Sequence, residues 1–304
     1  TMNNYPIATI LGGGGFIGRY LVRNLTKRNF RCIIPTRNPF TKGYLKTQAP
    51  AGAIEIINFS TKNFDEVKNA INNSDVVINL CGILYENRKQ KFNTIHVDLP
   101  ETISNLCTQA NVKKFIHVSA IGASKESKSK YQQSKFLGEE KALNNFKNTI
   151  VIRPSVVCGS EDNFTNLFAK LSVLPVIPVL NMNYKFQPIF VNDVARAILK
   201  AIEAKNNEGK IYELGGEQTI SFGDMVKLIL KTIGKKKLVV EMPMALAKIQ
   251  SVLLGLLPIP PILTKDQCLI LSEQDNIVSG NHLTLKDLNI KPTDVEKEME
   301  KWLW

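Results

Sequence analysis

A chain of 304 residues with 44% hydrophobic and 22% charged side chains is long enough for one large domain or two interleaved ones, and its composition excludes collagenous and disordered classes. The formal net charge of +12 reads either as plain solubility or as a basic face for anionic lipid, an acidic protein or a phosphorylated cofactor. The basic residues are scattered without interleaved aromatics, which argues against nucleic acid. Three separated histidines, His96, His117 and His282, together with five cysteines lacking any CxxC spacing, argue against a metal.

Short apolar runs alternate with helical patterns along the first half. Pro6–Leu11 predicts a strand and Phe16–Arg28 a helix with Ile17, Leu21, Val22 and Leu25 on one face. Arg31–Thr36 and Ala53–Phe59 predict strands, Phe64–Ile71 a helix and Asp75–Leu80 a fourth strand. Phe92–Ala110 reads as a helix interrupted at Pro100, Lys114–Ser119 as a fifth strand, Tyr131–Phe146 as a helix and Thr149–Arg153 as a sixth strand. Near-continuous apolar strands between helices predict an α/β fold, a doubly wound parallel sheet covered on both faces. After Pro154 the rhythm changes, prolines cluster at Pro175, Pro178 and Pro188, and a strand–helix unit returns over Pro188–Ala204. The expected organisation is a nucleotide-binding core of residues 1–160 plus 186–204, with a smaller interleaved lobe of 161–185 plus 205–304.

The first strand runs into Gly12-Gly13-Gly14-Gly15-Phe16-Ile17-Gly18, in which Gly12, Gly15 and Gly18 keep GxxGxxG spacing. Such spacing serves a tight turn, close approach of backbone to a pyrophosphate and close packing of helix on strand, and the N–H groups opening the helix then face the phosphates. An NAD-selective site places an acid at the end of the second strand, but this chain has Pro35-Thr36-Arg37 there. Arg37, with Arg19 directly after Gly18, suits a 2′-phosphate, which favours NADP(H) over NAD(H). Asp75 opens the fourth strand and is either an acceptor for the adenine amino group or an ordinary strand start. The small residues of Asn79-Leu80-Cys81-Gly82 let the sheet edge approach the ribose.

Tyr131 and Lys135 stand four apart on the helix after the fifth strand, which ends in Ser119. A tyrosine delivers a proton to a nascent alkoxide if its pKa falls from about 10, and a lysine one turn away supplies positive charge on the same face. Ser119 is placed to hydrogen-bond a substrate oxygen. Tyr85 and Lys89 repeat the spacing but lie in a polar loop just past the fourth strand and are set aside.

These motifs, with Asp75-Val76-Val77-Ile78-Asn79-Leu80, Val151-Ile152-Arg153-Pro154 and Phe190-Val191-Asn192-Asp193-Val194-Ala195, resemble those of extended or atypical short-chain dehydrogenases/reductases of the epimerase/dehydratase type, which have a Rossmann core. Within that superfamily, Phe115-Ile116-His117-Val118-Ser119, Leu174-Pro175-Val176-Ile177-Pro178, Gly159-Ser160-Glu161-Asp162-Asn163-Phe164 and Gln187-Pro188-Ile189-Phe190-Val191 are most similar to the dinucleotide-binding accessory subunits of respiratory complex I and their bacterial relatives. The resemblance implies that Gly12, Gly15, Phe16, Ile17 and Gly18 hold the pyrophosphate, that Arg19 and Arg37 read the 2′-phosphate, and that Asp75, Leu80, Cys81 and Gly82 meet the adenosine. Tyr131 and Lys135 would contact the nicotinamide ribose, with Pro154 completing the cofactor set. It implies a structural cofactor and a role in respiratory-chain assembly or integrity, with complex I (NADH:ubiquinone oxidoreductase) subunits as partners.

Two other readings stay open. One is an active oxidoreductase or epimerase on a quinone-related or nucleotide-sugar substrate, with Tyr131 as general acid/base and a cleft lined by Asn163, Phe164, Tyr184 and Gln187. The other is a redox-sensing regulator. Ile121, where extended epimerases carry a further hydroxyl, favours the non-catalytic reading and puts Ser119 as a polarising group in doubt. The apolar stretch Met242–Leu263 is broken by Lys248, Gln250 and four prolines, so it is read as no single membrane span but as either a helix closing the cleft or a docking segment. The expected location is cytoplasmic, in a reducing compartment, and peripheral at the inner face of a membrane if that segment docks; no signal peptide is read before the first strand.

Overall fold

A computed structural model describes residues 5–60, 64–243, 245 and 263–303. In chain order the first half forms β1 (Ile7–Leu11), α1 (Phe16–Thr26), β2 (Arg31–Thr36), β3 (Ile54–Asn58), α2 (Asp65–Asn72), β4 (Val76–Asn79), α3 (Leu99–Gln109), β5 (Lys114–Val118), α4 (Lys130–Asn145) and β6 (Thr149–Pro154). Then follow β7 (Val157–Cys158), α5 (Asn163–Leu171), β8 (Val176–Leu180), β9 (Lys185–Phe186), β10 (Ile189–Phe190), α6 (Val191–Glu203), β11 (Ile211–Leu214), β12 (Ile220–Ser221), α7 (Phe222–Thr232), β13 (Leu238–Met242), α8 (Lys265–Ile270) and α9 (Val295–Met299).

Seven strands pair in the order β11-β6-β5-β4-β1-β2-β3, and every pairing is parallel. The alternation of side chains along each strand feeds two hydrophobic layers. Ala8, Ile10, Ile78, Ile116 and Ile150 pack with Leu21, Val22 and Leu25 of α1 and Val194, Ile198 and Ala201 of α6. Leu11, Val77 and Phe115 face the other way, against Val67 of α2, Leu99, Ile103 and Cys107 of α3 and Ala142 of α4. The strand order reverses between β1 and β4, the place where an open α/β sheet leaves a crevice outside the carboxyl ends of its strands.

Two expectations about organisation change. The returning unit before α6 contributes a two-residue strand, β10, that pairs with β7 rather than with the large sheet. The seventh strand is β11, so residues 211–214 belong to the sheet and not to the smaller lobe; Leu285, Leu288 and Ile290 also pack into the sheet's core. The physical reason is that β6, all six of whose residues are buried, would otherwise end the sheet with an unpaired strand edge.

A second core collects Phe168, Ile177, Val179, Leu180, Tyr184, Phe186, Phe222, Met225, Val226, Ile229 and Cys268. The apolar stretch Met242–Leu263 lies, apart from Met242, Pro243, Ala245 and Leu263, outside the described residues.

The predicted interruption near Pro100 is a π-helical stretch, Asn93–Asp98, that runs directly into α3. Proline donates no backbone N–H, and a wider turn just before it absorbs the mismatch. The carbonyl of His96 in this stretch faces α4 so closely that a Cβ on Gly138 would collide with it. Gly138→Ala is therefore expected to lower stability by about 1–3 kcal/mol through forced separation of α3 and α4, read as a lower urea midpoint.

Candidate functional site

Parallel strands bring one kind of strand end to one edge. Gly12 after β1, Arg37 after β2, Cys81 after β4 and Ser119 after β5 therefore share the carboxyl edge of the sheet. Gly12 has φ +79°, a left-handed conformation open to glycine, and a Cβ there would sit 3.1 Å from the Leu80 carbonyl carbon and 3.2 Å from the Cys81 nitrogen. The β1 and β4 backbones thus close on each other at the point of strand reversal. A Cβ on Gly18 would collide with the carbonyl oxygens of Gly12 and Gly13, so α1 begins pressed onto its own turn. Gly15 occupies the N-cap without any side-chain cap, and no acid stands in the first turn of α1. The positive end of the helix is left for an external anion. A dinucleotide pyrophosphate fits this cradle.

The surroundings of the cradle are basic. Arg37 is exposed at the end of β2, and its charge reaches Cys81. Arg19 is already engaged: its guanidinium lies 3.0 Å from Glu161 and over the Tyr44 ring, 5.3 Å from the centroid. Sequence reasoning missed two neighbours, Lys42 and Tyr44. Both lie in a stretch of 3₁₀ turns, Pro39–Gln48, whose sequence has no apolar period to announce it. The Lys42 stem lies over Gly14, 2.8 Å from where a Cβ would be, and the Tyr44 hydroxyl donates to the Gly14 carbonyl at 3.2 Å. Phe16 does not face the crevice alone; its ring packs against Gly159 and stands edge-on to Tyr20. Ile17 packs against the core beneath.

Asp75 is a correction. Its carboxylate accepts from the Ile7 N–H at 2.9 Å and pairs with Lys113 at 2.7 Å. Burial alone would raise its pKa, but these partners hold it below the usual value. The register Ala8↔Val76 to Leu11↔Asn79 puts Asp75 at the amino edge, four residues or about 13 Å from the carboxyl edge. It cannot reach an adenine bound there.

At the other end of the crevice the structure brings Tyr131, Lys135, Ser119 and Gly82 together. Lys135 is buried, its Nζ lies 6.0 Å from the Tyr131 ring centroid and donates to the Val118 carbonyl at 3.4 Å. The same nitrogen would stand 3.1 Å from a Cβ on Gly82. Ser119 Oγ and His117 Nε2 are buried here without a hydrogen-bond partner. Pro154 ends β6 beside them, its carbonyl accepting from Ile121, which is buried.

The electrostatics are those of a dry pocket. Burial, with the neighbouring Lys135 charge, holds His96 near a pKa of about 2 and His117 near about 3, so both are neutral. The Ile83 N–H donates to His96 Nε2 at 3.1 Å, which leaves the proton on Nδ1 for Ser134 Oγ at 2.9 Å. Ser134 in turn donates to the Tyr131 carbonyl, and the His96 ring stands edge-on to Tyr131 with centroids 5.4 Å apart. Burial raises Tyr131 to about 12 and Asp266 adds to the rise. This differs from the drop that the Tyr–Lys spacing by itself suggested. Cys81 is raised to about 11 by burial, against the pull of Lys135 and Arg37.

Asp266 of α8 is a third site residue that sequence reasoning missed. It accepts from Ser129 Oγ at 2.7 Å and from the N–H groups of Lys130 and Tyr131 at 2.7 and 3.1 Å. Glu273 accepts from Ser127 Oγ and the Lys128 N–H at 2.6 and 2.7 Å. The helix carrying Tyr131 is thus capped by carboxylates more than 130 residues away, a pairing no local motif announces.

The residues expected to line a substrate cleft are mostly committed elsewhere. Phe164 packs with Phe168, Phe186 and Phe222, and Tyr184 is buried in the same aromatic core. The Gln187 amide donates to the Gly216 carbonyl and accepts from the Val278 N–H. Asn163 is exposed at the first turn of α5.

A profile described as NAD dependent epimerase/dehydratase family matches residues 8–215, from β1 to the residue after β11. The chain belongs to that family. It is 33% identical over 298 residues, 96% of this chain and 83% of the relative, to the mitochondrial NADH dehydrogenase [ubiquinone] 1 alpha subcomplex subunit 9 of Dictyostelium discoideum. The mouse (Mus musculus) protein of the same description is 31% identical over 293 residues, covering 95% of this chain and 78% of its own. The fold is also similar to a triphenylmethane reductase of Citrobacter sp., with a TM-score of 0.76 at 17% identity over 98% of this chain and 99% of that one. Among the described residues no helix is long and apolar enough to cross a membrane.

One pH dependence follows. Burial lowers Lys135 from 10.5 to about 8, against the Glu139 and Cys81 charges. Between about pH 8 and 10.5 the unfolded chain keeps a proton on this lysine that the folded chain has lost, so stability rises with pH across that window. Below it the folded state bears a buried cation. Lys135→Met is expected to abolish the rise and to add on the order of 1–3 kcal/mol at pH 7, measured by urea unfolding of both proteins from about pH 7 to pH 10.

Proposed function

We propose that this protein binds NADP(H) and serves as an accessory or assembly factor of respiratory complex I, with a mainly structural cofactor. The observation that carries the reading is the contrast between the two ends of the crevice. The cradle end is open, uncapped and basic. At the proton-transfer end, burial and Asp266 hold the Tyr131 phenol at about 12, far from the neutral range that general acid/base work requires. The proposed partner is supported by relatives described as NADH dehydrogenase [ubiquinone] subunits and matched over 95–96% of this chain.

A bound nicotinamide dinucleotide supplies a hydride donor or acceptor. The chain's own part is to hold and orient it. The first-turn amides of α1 and the glycine turn receive the pyrophosphate, Arg37 with Lys42 meets the 2′-phosphate, and Tyr131 and Lys135 border the nicotinamide ribose. Arg19 is a weaker reader of the 2′-phosphate because Glu161 already neutralises it. Cofactor binding then stabilises the fold by mass action whether or not chemistry follows.

At a hundredfold excess over its Kd, NADPH is expected to stabilise the protein by about 2.7 kcal/mol and to raise Tm by roughly 5 °C, with NADH giving less. Arg37→Glu is expected to remove at least about tenfold of the NADPH affinity and little of the NADH affinity. Equal shifts for the two nucleotides in a thermal melt refute the NADP(H) preference.

A second reading, an active reductase or epimerase, is supported by the unpartnered buried Oγ of Ser119, which directly follows Val118, whose carbonyl accepts from Lys135. On that reading Tyr131→Phe abolishes turnover of a quinone or nucleotide-sugar substrate while NADPH affinity stays within about twofold. Absence of cofactor oxidation by the wild-type protein against both substrate classes removes it.

A further inference from the structure

Away from the crevice, α5 leads into β8 and α7 leads into β13, and the two strands pair in parallel with Leu238 beside Val176. Parallel pairing of two helix–strand units puts both helix-to-strand loops at the same end. One loop, Ser172–Pro175, carries Val173 and Leu174; the other, Ile233–Lys237, turns at Gly234 with φ +66° and carries Lys235, Lys236 and Lys237.

The apolar side chains at this corner are turned outward. Val173 is 82% exposed, Leu238 63%, Leu174 40% and Val176 38%. These are four of the nine large hydrophobic residues exposed among the described residues; Val176 and Leu238 open the two paired strands, and Val173 and Leu174 lie in the loop that leads into β8. Lys235 and Lys236 are exposed beside them and Lys237 is half-buried. Lys170 and Lys231, at the ends of the two helices, add to the same side, with Glu296 facing Lys231 at 3.7 Å.

We propose that this corner docks on an anionic phospholipid surface. Aliphatic side chains enter the acyl boundary while the lysines stay at the level of the phosphates. The composition favours lipid over an acidic protein. Protein interfaces enrich Arg, Tyr and Trp at their cores and deplete Lys, whereas every cation here is a lysine and every exposed apolar group is Val or Leu. The proposal does not depend on cofactor identity or on complex I, since the corner shares no residue with the cradle or the Tyr131 pocket.

The test is co-sedimentation of the full chain with phosphatidylglycerol-containing vesicles and with pure phosphatidylcholine vesicles. Binding is expected to the former only, and to disappear in roughly 1 M salt, where the Debye length is about 3 Å. The triple variant K235E/K236E/K237E is expected to lose binding on the order of a hundredfold. Val173→Ser with Leu238→Ser, which keeps every charge, is expected to lose about tenfold or more. Both variants should keep the wild-type melting temperature and NADPH shift, which separates failed docking from failed folding and from failure of the cofactor reading. Absence of binding to anionic vesicles, equal binding to both lipids, or undiminished binding by either variant overturns the proposal. So does capture of complex I subunits that is lost in the lysine variant while vesicle binding is nil, which would make the corner a protein-docking surface.

Discussion

The structure depends on one close approach of backbone to backbone. At the centre of the sheet, Gly12 lets the end of β1 lie against Leu80 and Cys81 at the end of β4, and Gly18 lets α1 rest on the turn that precedes it. Any side chain at either position must push main-chain atoms apart, and main chain has nowhere to go in a sheet that is buried on both faces. This contact fixes the angle at which α1 leaves the sheet. It therefore fixes where the open amides of the helix point, and it sets the crevice at the place where strand order reverses. The basic residues around the crevice have meaning only because this geometry is in place.

The smaller lobe acts on the two helices that define the crevice. Glu161 pairs with Arg19 and accepts from Tyr20 on α1, while Asp266 and Glu273 cap the entry of α4. Carboxylates at a helix N-terminus satisfy orphan amides and complement the positive end of the dipole. The cap also places a negative charge beside Tyr131, which favours the neutral phenol. A second internal tie crosses the sheet edge: Arg153 of β6 meets Glu139 of α4 through two hydrogen bonds of 2.6 and 2.9 Å, and Glu213 of β11 stands at 3.6 Å. Breaking such a buried pair from one side typically costs about 3–5 kcal/mol. The helix that carries the Tyr–Lys pair is thus gripped at both its entry and its middle.

Two neutral histidines, a lysine lowered to about 8 and a phenol raised to about 12 share the Tyr131 pocket, so at neutral pH Lys135 is its one charged group of the four. The membership in the NAD dependent epimerase/dehydratase family bears on the fold. The outward-facing Val, Leu and Lys corner lies in the smaller lobe, apart from the dinucleotide crevice, so the two surfaces are free to serve different contacts.

Local pattern carried the parts of this protein that local chemistry controls. The apolar runs located β1 to β6, the amphipathic stripe located α1, and the glycine spacing located the cradle, because each depends on residues within a few positions of one another. Asp75 shows the limit: its type suited an adenine contact, but the parallel register that puts strand starts on the opposite edge is a property of paired strands. Lys42 and Tyr44 sit in 3₁₀ turns with no period to reveal them. Phe164, Tyr184 and Gln187 looked like a cleft wall and pack or hydrogen-bond inside the smaller lobe. The amino-acid sequence by itself determined the alternating strands and helices, the GxxGxxG turn and the Tyr131–Lys135 face, since propensity, periodicity and glycine sterics act over short range. Only the tertiary structure decided that β11 closes the sheet, that Asp266 caps the helix of Tyr131, and that burial raises the phenol's pKa, since each requires chain segments far apart in sequence to exclude water from the same place.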